Sequence, residues 1–191
     1  MALSALSDEL MRAEGMMMQD QNEEALELLL RLAEDAEEYV DCNCQTTDEL
    51  QYFAFPTLFD RLAYRRVEND PRKLEDVHEP FDRLYGDLAM AYVRTGDYEN
   101  AMNALKTAIR WNPMNCGFRL DLADLFKIAG DIREHIALTF GVFERASEAR
   151  HLTRAFLNFA AWFEAQGRLE QAAACLRAAR RFEVKDSTLE A

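Results

Sequence analysis

The stretch Tyr85–Pro113, YGDLAMAYVRTGDYENAMNALKTAIRWNP, decides the fold. Tyr85, Leu88, Ala89 and Tyr92 fall at i, i+3, i+4 and i+7, one face of a helix. Gly96 supplies the left-handed residue that ends this helix, and Asp97 is placed to cap the next. Ala101, Leu105 and Ala108 then line the inner face of a second helix, with small Ala101 letting the two backbones approach. Asn112-Pro113 stops it, because a residue before proline avoids the α region. The stretch is two helices of similar length folded back on each other.

The same frame recurs. Thirty-four residues on, Leu122, Ala123 and Phe126 precede Gly130 as Leu88, Ala89 and Tyr92 precede Gly96. Gly167 closes a third copy, with Phe156, Phe159, Ala160 and Phe163 on its first face and Ala172, Leu176 and Ala179 on its second. A weaker copy over residues 6–39 places Ala13, Met16, Ala25, Leu29 and Leu32 in register, and of the run Met16–Met18 it turns Met16 inward. The expected helix pairs are 82–95/98–111, 115–129/131–146 and 151–166/169–182. Units of this kind cannot bury both apolar faces alone and must stack.

At this point the sequence resembles the tetratricopeptide repeat family, whose period of 34 carries W-x2-L-G-x2-Y, then A-x3-F, then P. Tyr85, Leu88, Ala89, Tyr92, Ala101, Leu105 and Pro113 occupy the pattern positions of residues 82–115. Residues 153–186 fit without the terminal proline. Residues 116–149 fit in their first helix only, since His135 and Thr139 stand where the family has Ala and a large apolar residue. The resemblance therefore divides the chain into an N-terminal helix pair (1–39), linking helices (40–81) and three repeats (82–115, 116–149 and 153–186, within 82–191). It implies an all-α, right-handed superhelical array of antiparallel helix pairs, a tetratricopeptide-like α-solenoid with a concave groove.

Within residues 40–81 the expectation is helices at 47–68 and 71–78. Thr46 or Thr47 would cap the first, Pro56 would kink it or start a new one, and Asp70-Pro71 would open the last.

Composition narrows the function classes. Of 191 residues 49% are hydrophobic and 30% charged, ordinary for a helical protein, and seven Gly and four Pro are too few for an all-β chain. The N-terminus shows no basic-then-apolar leader and no run nears the roughly 18 apolar residues of a membrane span, so the expected compartment is the cytoplasm. Net charge is −13, with 11 acids and 2 bases in residues 1–39, so an acidic face repels nucleic acid. Four cysteines and three scattered histidines lack metal-ligand spacing, and the Cys42/Cys44 pair alone is no closed zinc site. No phosphate loop, dinucleotide loop, zinc-protease helix or nucleophile motif is present. The expectation is a protein that is not an enzyme and takes no cofactor and no metal.

The resemblance implies a protein-protein interaction scaffold or adaptor that holds a peptide or extended segment in its groove. First-helix positions off the packing face would line that groove: Arg83, Asp87, Met90 and Arg94, then Asp121, Asp124 and Lys127, then Arg154, Asn158 and Glu164. The family's clamp for acidic tails is not expected, because its places hold Gly86, Met90, Asp121, Arg154 and Asn158. Asp87, Asp121 and Asp124 would lie together, either paired with Arg94 or Lys127 or free for a partner bearing Lys or Arg. A self-associating array is the alternative, its basic C-terminal edge (Arg177, Arg180, Arg181 and Lys185) facing an acidic N-terminal one; a small acidic chaperone for secreted proteins is a further variant. Among the aromatics of the third copy, Phe156, Phe159 and Phe163 are assigned to the core, with Trp162 off that stripe.

Overall fold

A computed structural model describes residues 3–182. The chain divides into two compact units, Met1–Met114 and Asn115–Ala191. The first holds α1 (Leu3–Met18), α2 (Asn22–Asn43), β1 (Leu50–Phe53), α3 (Leu58–Glu68), β2 (Lys73–Asp76), α4 (Phe81–Thr95) and α5 (Tyr98–Trp111). The second holds α6 (Cys116–Ile128), α7 (Ile132–Arg145), α8 (Ala149–Ala165) and α9 (Leu169–Arg180). Residues 183–186 of the last repeat frame, Lys185 among them, lie outside the described residues.

One local motif builds every helix pair. At Gly96 the N–H of Asp97 reaches back to Tyr92 O (2.9 Å) and that of Gly96 to Val93 O (3.2 Å). Asp131 with Gly130, and Arg168 with Gly167, repeat both bonds, and all three glycines have φ between 70° and 84°. These paired bonds satisfy the last carbonyls of the first helix and reverse the chain within two residues. The α1–α2 turn does the same without glycine: Asp20 takes φ 65°, and the N–H groups of Gln21 and Asp20 bond Met16 O and Met17 O. Asp97 and Asp131 then cap α5 and α7, accepting from Asn100 N and Glu134 N.

Packing follows the apolar stripes. Tyr85, Leu88, Ala89, Ala101, Leu105 and Ala108 are buried between α4 and α5, and Tyr92 is half-buried at the hinge end. On α1 the buried stripe is Leu6, Leu10, Ala13 and Met17, so Met17 turns inward and Met16 is only half-buried. The stripe runs i, i+4, i+7, i+11, and Met16 lies one residue, about 100°, off it. Asp82, buried at the start of α4, accepts from Asn112 Nδ2 (2.9 Å) just past the end of α5, tying the two ends of the pair.

The segment 40–81 corrects the expectation of linking helices. Only α3 is helical between α2 and α4; β1 and β2 pair in parallel around it, with Leu50 opposite Lys73 and Phe53 opposite Asp76. Thr47 does act as a cap, but for a turn: its Oγ1 accepts from Glu49 N and Leu50 N and launches a strand. Thr57, after Pro56, is the cap that starts α3. Asp70 does not open a helix either. Its carboxylate accepts from Arg72 N (3.0 Å), the Arg72 guanidinium (2.7 Å) and Tyr64 OH (2.8 Å), fixing the turn into β2. The Arg72 bonds hold its carboxyl well below the usual carboxylate range. Phe53, Phe55, Tyr64, Leu74 and Met114 form the core under this β-α-β element, and Ala54 N bonds Trp111 O (2.9 Å) at the end of α5. Along β1 buried Gln51 and Phe53 alternate with half-buried Leu50 and Tyr52, a period of two that suits a pleated surface better than a helix stripe.

In the second unit Cys116, Leu120, Val142 and Ala155 make the core. His135 and Thr139 leave α7 regular, although both are buried there. His135 Nδ1 bonds Ala123 O across to α6 (2.8 Å), and Thr139 Oγ1 donates to His135 O (2.8 Å). Polar side chains fit a helix-packing face when each finds a partner. Phe156, Phe159 and Phe163, assigned to the core, are half-buried instead. They join Phe143 and Trp162 in a chain of ring contacts with centroids 4.8–6.2 Å apart, so Trp162 belongs with them.

Candidate binding surface

In the first unit the groove positions of α4 face α1. Arg83 donates Nη2 and Nε to Glu14 Oε1 of α1 (2.6 and 2.9 Å). Arg94 Nη1 donates to Met17 O (2.9 Å), fastening the far end of α4 to the α1 terminus. Between them Asp87 is largely buried, 3.9 Å from Arg83 Nε, and its Oδ2 has no hydrogen-bond donor. Burial, with Glu14 beside it, pushes the Asp87 carboxyl up to about 7. Met90 is the open position, 49% exposed.

In the second unit Arg154 of α8 closes a fork on α6. Its Nη1 meets Asp121 Oδ1 at 2.7 Å and its Nη2 meets Asp124 Oδ2 at 2.6 Å. Asn158 Nδ2 points to Thr139 Oγ1 of α7 at 3.4 Å. Lys127 and Glu164 are exposed. Asp121 and Asp124 therefore do lie together, but their partner is Arg154 rather than Lys127. Asp87 is largely buried in the other unit, so neither unit presents the free, exposed acidic spot that was one of the two expectations.

A feature the sequence did not mark lies between α1, α2 and the start of α4. There a cavity of about 310 Å³ opens beside Leu6, Leu32, Ala36 and Phe81. Glu79 lines it, 8% exposed, with its Oε2 lacking any hydrogen-bond partner. Burial pushes its carboxyl pKa up. Asp35 and Glu38 of α2 stand on the same wall, with Tyr39 and exposed Cys42. The one signal in the sequence is the spacing Asp35, Glu38, Tyr39 and Cys42, a polar helix face that reads as solvated until Glu79 is placed beside it.

Among the described residues, no group of three or more His, Cys, Asp or Glu is arranged to hold a metal ion. No described helix is long and apolar enough to cross a membrane. The sequence profile of the tetratricopeptide repeat matches residues 82–115, the interval of α4 and α5. Residues 82–115 are a tetratricopeptide repeat. The chain is all-α in class, its helices folded in pairs of the tetratricopeptide kind, with the short parallel strand pair as an addition. Solved structures similar to it include "Crystal structure of MamA", with TM-score 0.47 and 16% identity over 91% of this chain and 86% of that one. Another is "MamA AMB-1 P212121", with TM-score 0.43 and 18% identity over 97% and 93%. No curated protein sequence matches this chain.

Proposed function

We propose that this chain is a non-enzymatic protein-interaction scaffold that holds an extended segment of another protein along the outward faces of its first helices. The supporting observation is the tetratricopeptide frame of residues 82–115, where Met90 stands open on α4 while Leu88, Ala89 and Ala91 are buried. A soft, half-exposed methionine adapts to varied apolar partners. Because Arg154 already pairs with both Asp121 and Asp124, most of the acid that a basic partner would meet is carried by the first unit, where 24 acids face 11 bases. We assign the protein to the cytoplasm, where four unpaired thiols are ordinary. The test places a photo-crosslinking side chain at Met90 or Lys127, with Glu99 on α5 as control. The expected result is one discrete cross-linked partner from Met90 and Lys127. Equal capture from Glu99 would overturn the reading.

A second reading, self-association, is favoured by the outer face of α9, where Leu169 is 66% exposed beside Ala173, Ala174 and Arg177. Light scattering over a concentration series at low salt separates the two. A mass that grows with concentration and falls back in the Leu169→Lys variant supports self-association, and a constant monomer mass excludes it.

A further inference from the structure

Helix α3 is apolar on two sides. Tyr64 is buried, and Ala63 and Val67 pack beside it on the core of the β-α-β element. On the opposite side Leu58, Phe59 and Leu62 are 70%, 62% and 61% exposed, and Arg65 and Arg66 follow one turn on, also exposed. With each residue turning the helix by about 100°, these five positions share an arc of about 120° and form one continuous face. Three large apolar side chains set together in this way are more than the scattered exposure of an ordinary surface. The two arginines also stand against their surroundings, because the unit that carries them holds 24 acids and 11 bases.

The matching chemistry lies on α2. Glu23, Glu27, Leu30, Glu34, Glu37 and Asp41 fall at i, i+4, i+7, i+11, i+14 and i+18, an arc of about 80°, and all six are exposed. This stripe is the counterpart of the α3 face: a leucine with carboxylates one turn to either side, against apolar side chains followed by guanidinium groups. Both stripes are exposed in the folded chain and both belong to one compact unit, so they meet between copies. Two α2 stripes repel each other, as do two pairs of arginines, and only the unlike pairing gains in both charge and apolar contact. An anionic lipid surface also takes an apolar and basic helix face, but here it would meet the excess acid of the same unit.

We propose that the Leu58–Arg66 face of α3 docks on the α2 stripe of a second copy of this chain. Leu58, Phe59 and Leu62 cover Leu30, and the two arginines lie among the carboxylates that flank it. The docked patches differ, so the contact is heterologous. One helix face is small, so the contact is weak, fills at high concentration and loosens with salt. It goes beyond the scaffold reading and uses neither Met90 and Lys127 nor the α9 face.

The test is static light scattering of the full chain over a concentration series, with circular dichroism to confirm that each variant folds. At about 0.05 M salt the parent's mass should climb to at least about twice that of one chain, and it should fall back at about 0.5 M. The α3 variant, Leu62→Glu with Arg66→Glu, should stay monomeric at the same concentrations. So should the α2 variant, Glu27→Lys with Glu34→Lys, whose changes stand on either side of Leu30. Mixed in equal amounts the two should associate again, because the intact α3 of one meets the intact α2 of the other. Every substituted side chain is exposed. Should either double variant fail to fold, the single change Phe59→Asp on the same α3 face should also abolish association. A parent monomeric at every concentration, folded variants that associate like the parent, or a mixture that stays monomeric would each overturn the proposal. Loss of association in Leu169→Lys but not in the α3 variant would assign the contact to α9 instead. A monomeric parent retained on phosphatidylserine vesicles, with the α3 variant released, would assign the face to a membrane and overturn it as well.

Discussion

Asp87 carries the clearest consequence at the scale of a single residue. Its folded pKa is about 7 against roughly 3.9 for an unfolded aspartate, so the folded chain holds a proton that the unfolded chain has released. Stability contributed by the protonated carboxyl is therefore present at low pH and lost as pH rises from about 4 through 7. The groups around it are Glu14 of α1 and Arg83 and Asp82 of α4; the two acids oppose its ionisation and Arg83 only partly offsets them. Asp87→Asn should be more stable than the parent at pH 8 by about 1–3 kcal/mol and should lose that advantage by pH 4 to 5. Paired melting curves from pH 4 to 8.5 measure it, and parallel curves at every pH would sink it. Asp70 works in the opposite sense: its carboxyl is held low by Arg72, so its contribution is lost only as pH falls below the ordinary carboxylate range. None of this burial could be read from one sequence, since nothing local says that α1 covers Asp87.

The hinges show how far elements are legible. Gly96, Gly130 and Gly167 announce themselves because only glycine takes positive φ without strain, and each lies where a helix face ends. Asp20 makes the same turn, yet an aspartate after Gln19 carries no such signal, so the first pair reads as a weak repeat although its turn geometry matches the others. Replacing Asp20 with Gly should remove the left-handed penalty and stabilise the chain by about 0.5–1 kcal/mol, less whatever its bond from Asn22 Nδ2 contributes. A lowered urea midpoint would show that the bond dominates. The strands were hidden for another reason. A parallel pair 23 residues apart leaves no hairpin turn in the sequence, and four-residue strands give too short a period-two run to outweigh the helical pattern around them. The helix-pair register makes its own prediction. Ala89 and Ala101 are buried where α4 meets α5, so Leu at either should cost about 1–3 kcal/mol through overpacking, read as a lower denaturation midpoint. An unchanged midpoint in both variants would mean that the interface has slack.

For the whole molecule the decisive quantity is where the charge lies. All of the net −13 falls on Met1–Met114, while Asn115–Ala191 carries 11 acids and 11 bases. Within the first unit the acids crowd α2, where Glu23 and Glu27, Glu34 and Glu38, and Glu37 and Asp41 are like-charged neighbours one turn apart. Such pairs destabilise a helix by a few tenths of a kcal/mol each and are screened by salt. In the second unit Arg154 bridges two carboxylates, and salt weakens an attraction of that exposed kind. The two units should therefore respond to salt in opposite directions. Between about 0.02 and 0.5 M salt, where the screening length shrinks several-fold, amide exchange in α2 should slow while exchange in α6 and α8 stays level or quickens slightly. Exchange followed by mass spectrometry resolves the helices in one experiment, and a change of the same sign in α2 and α8 would defeat the argument.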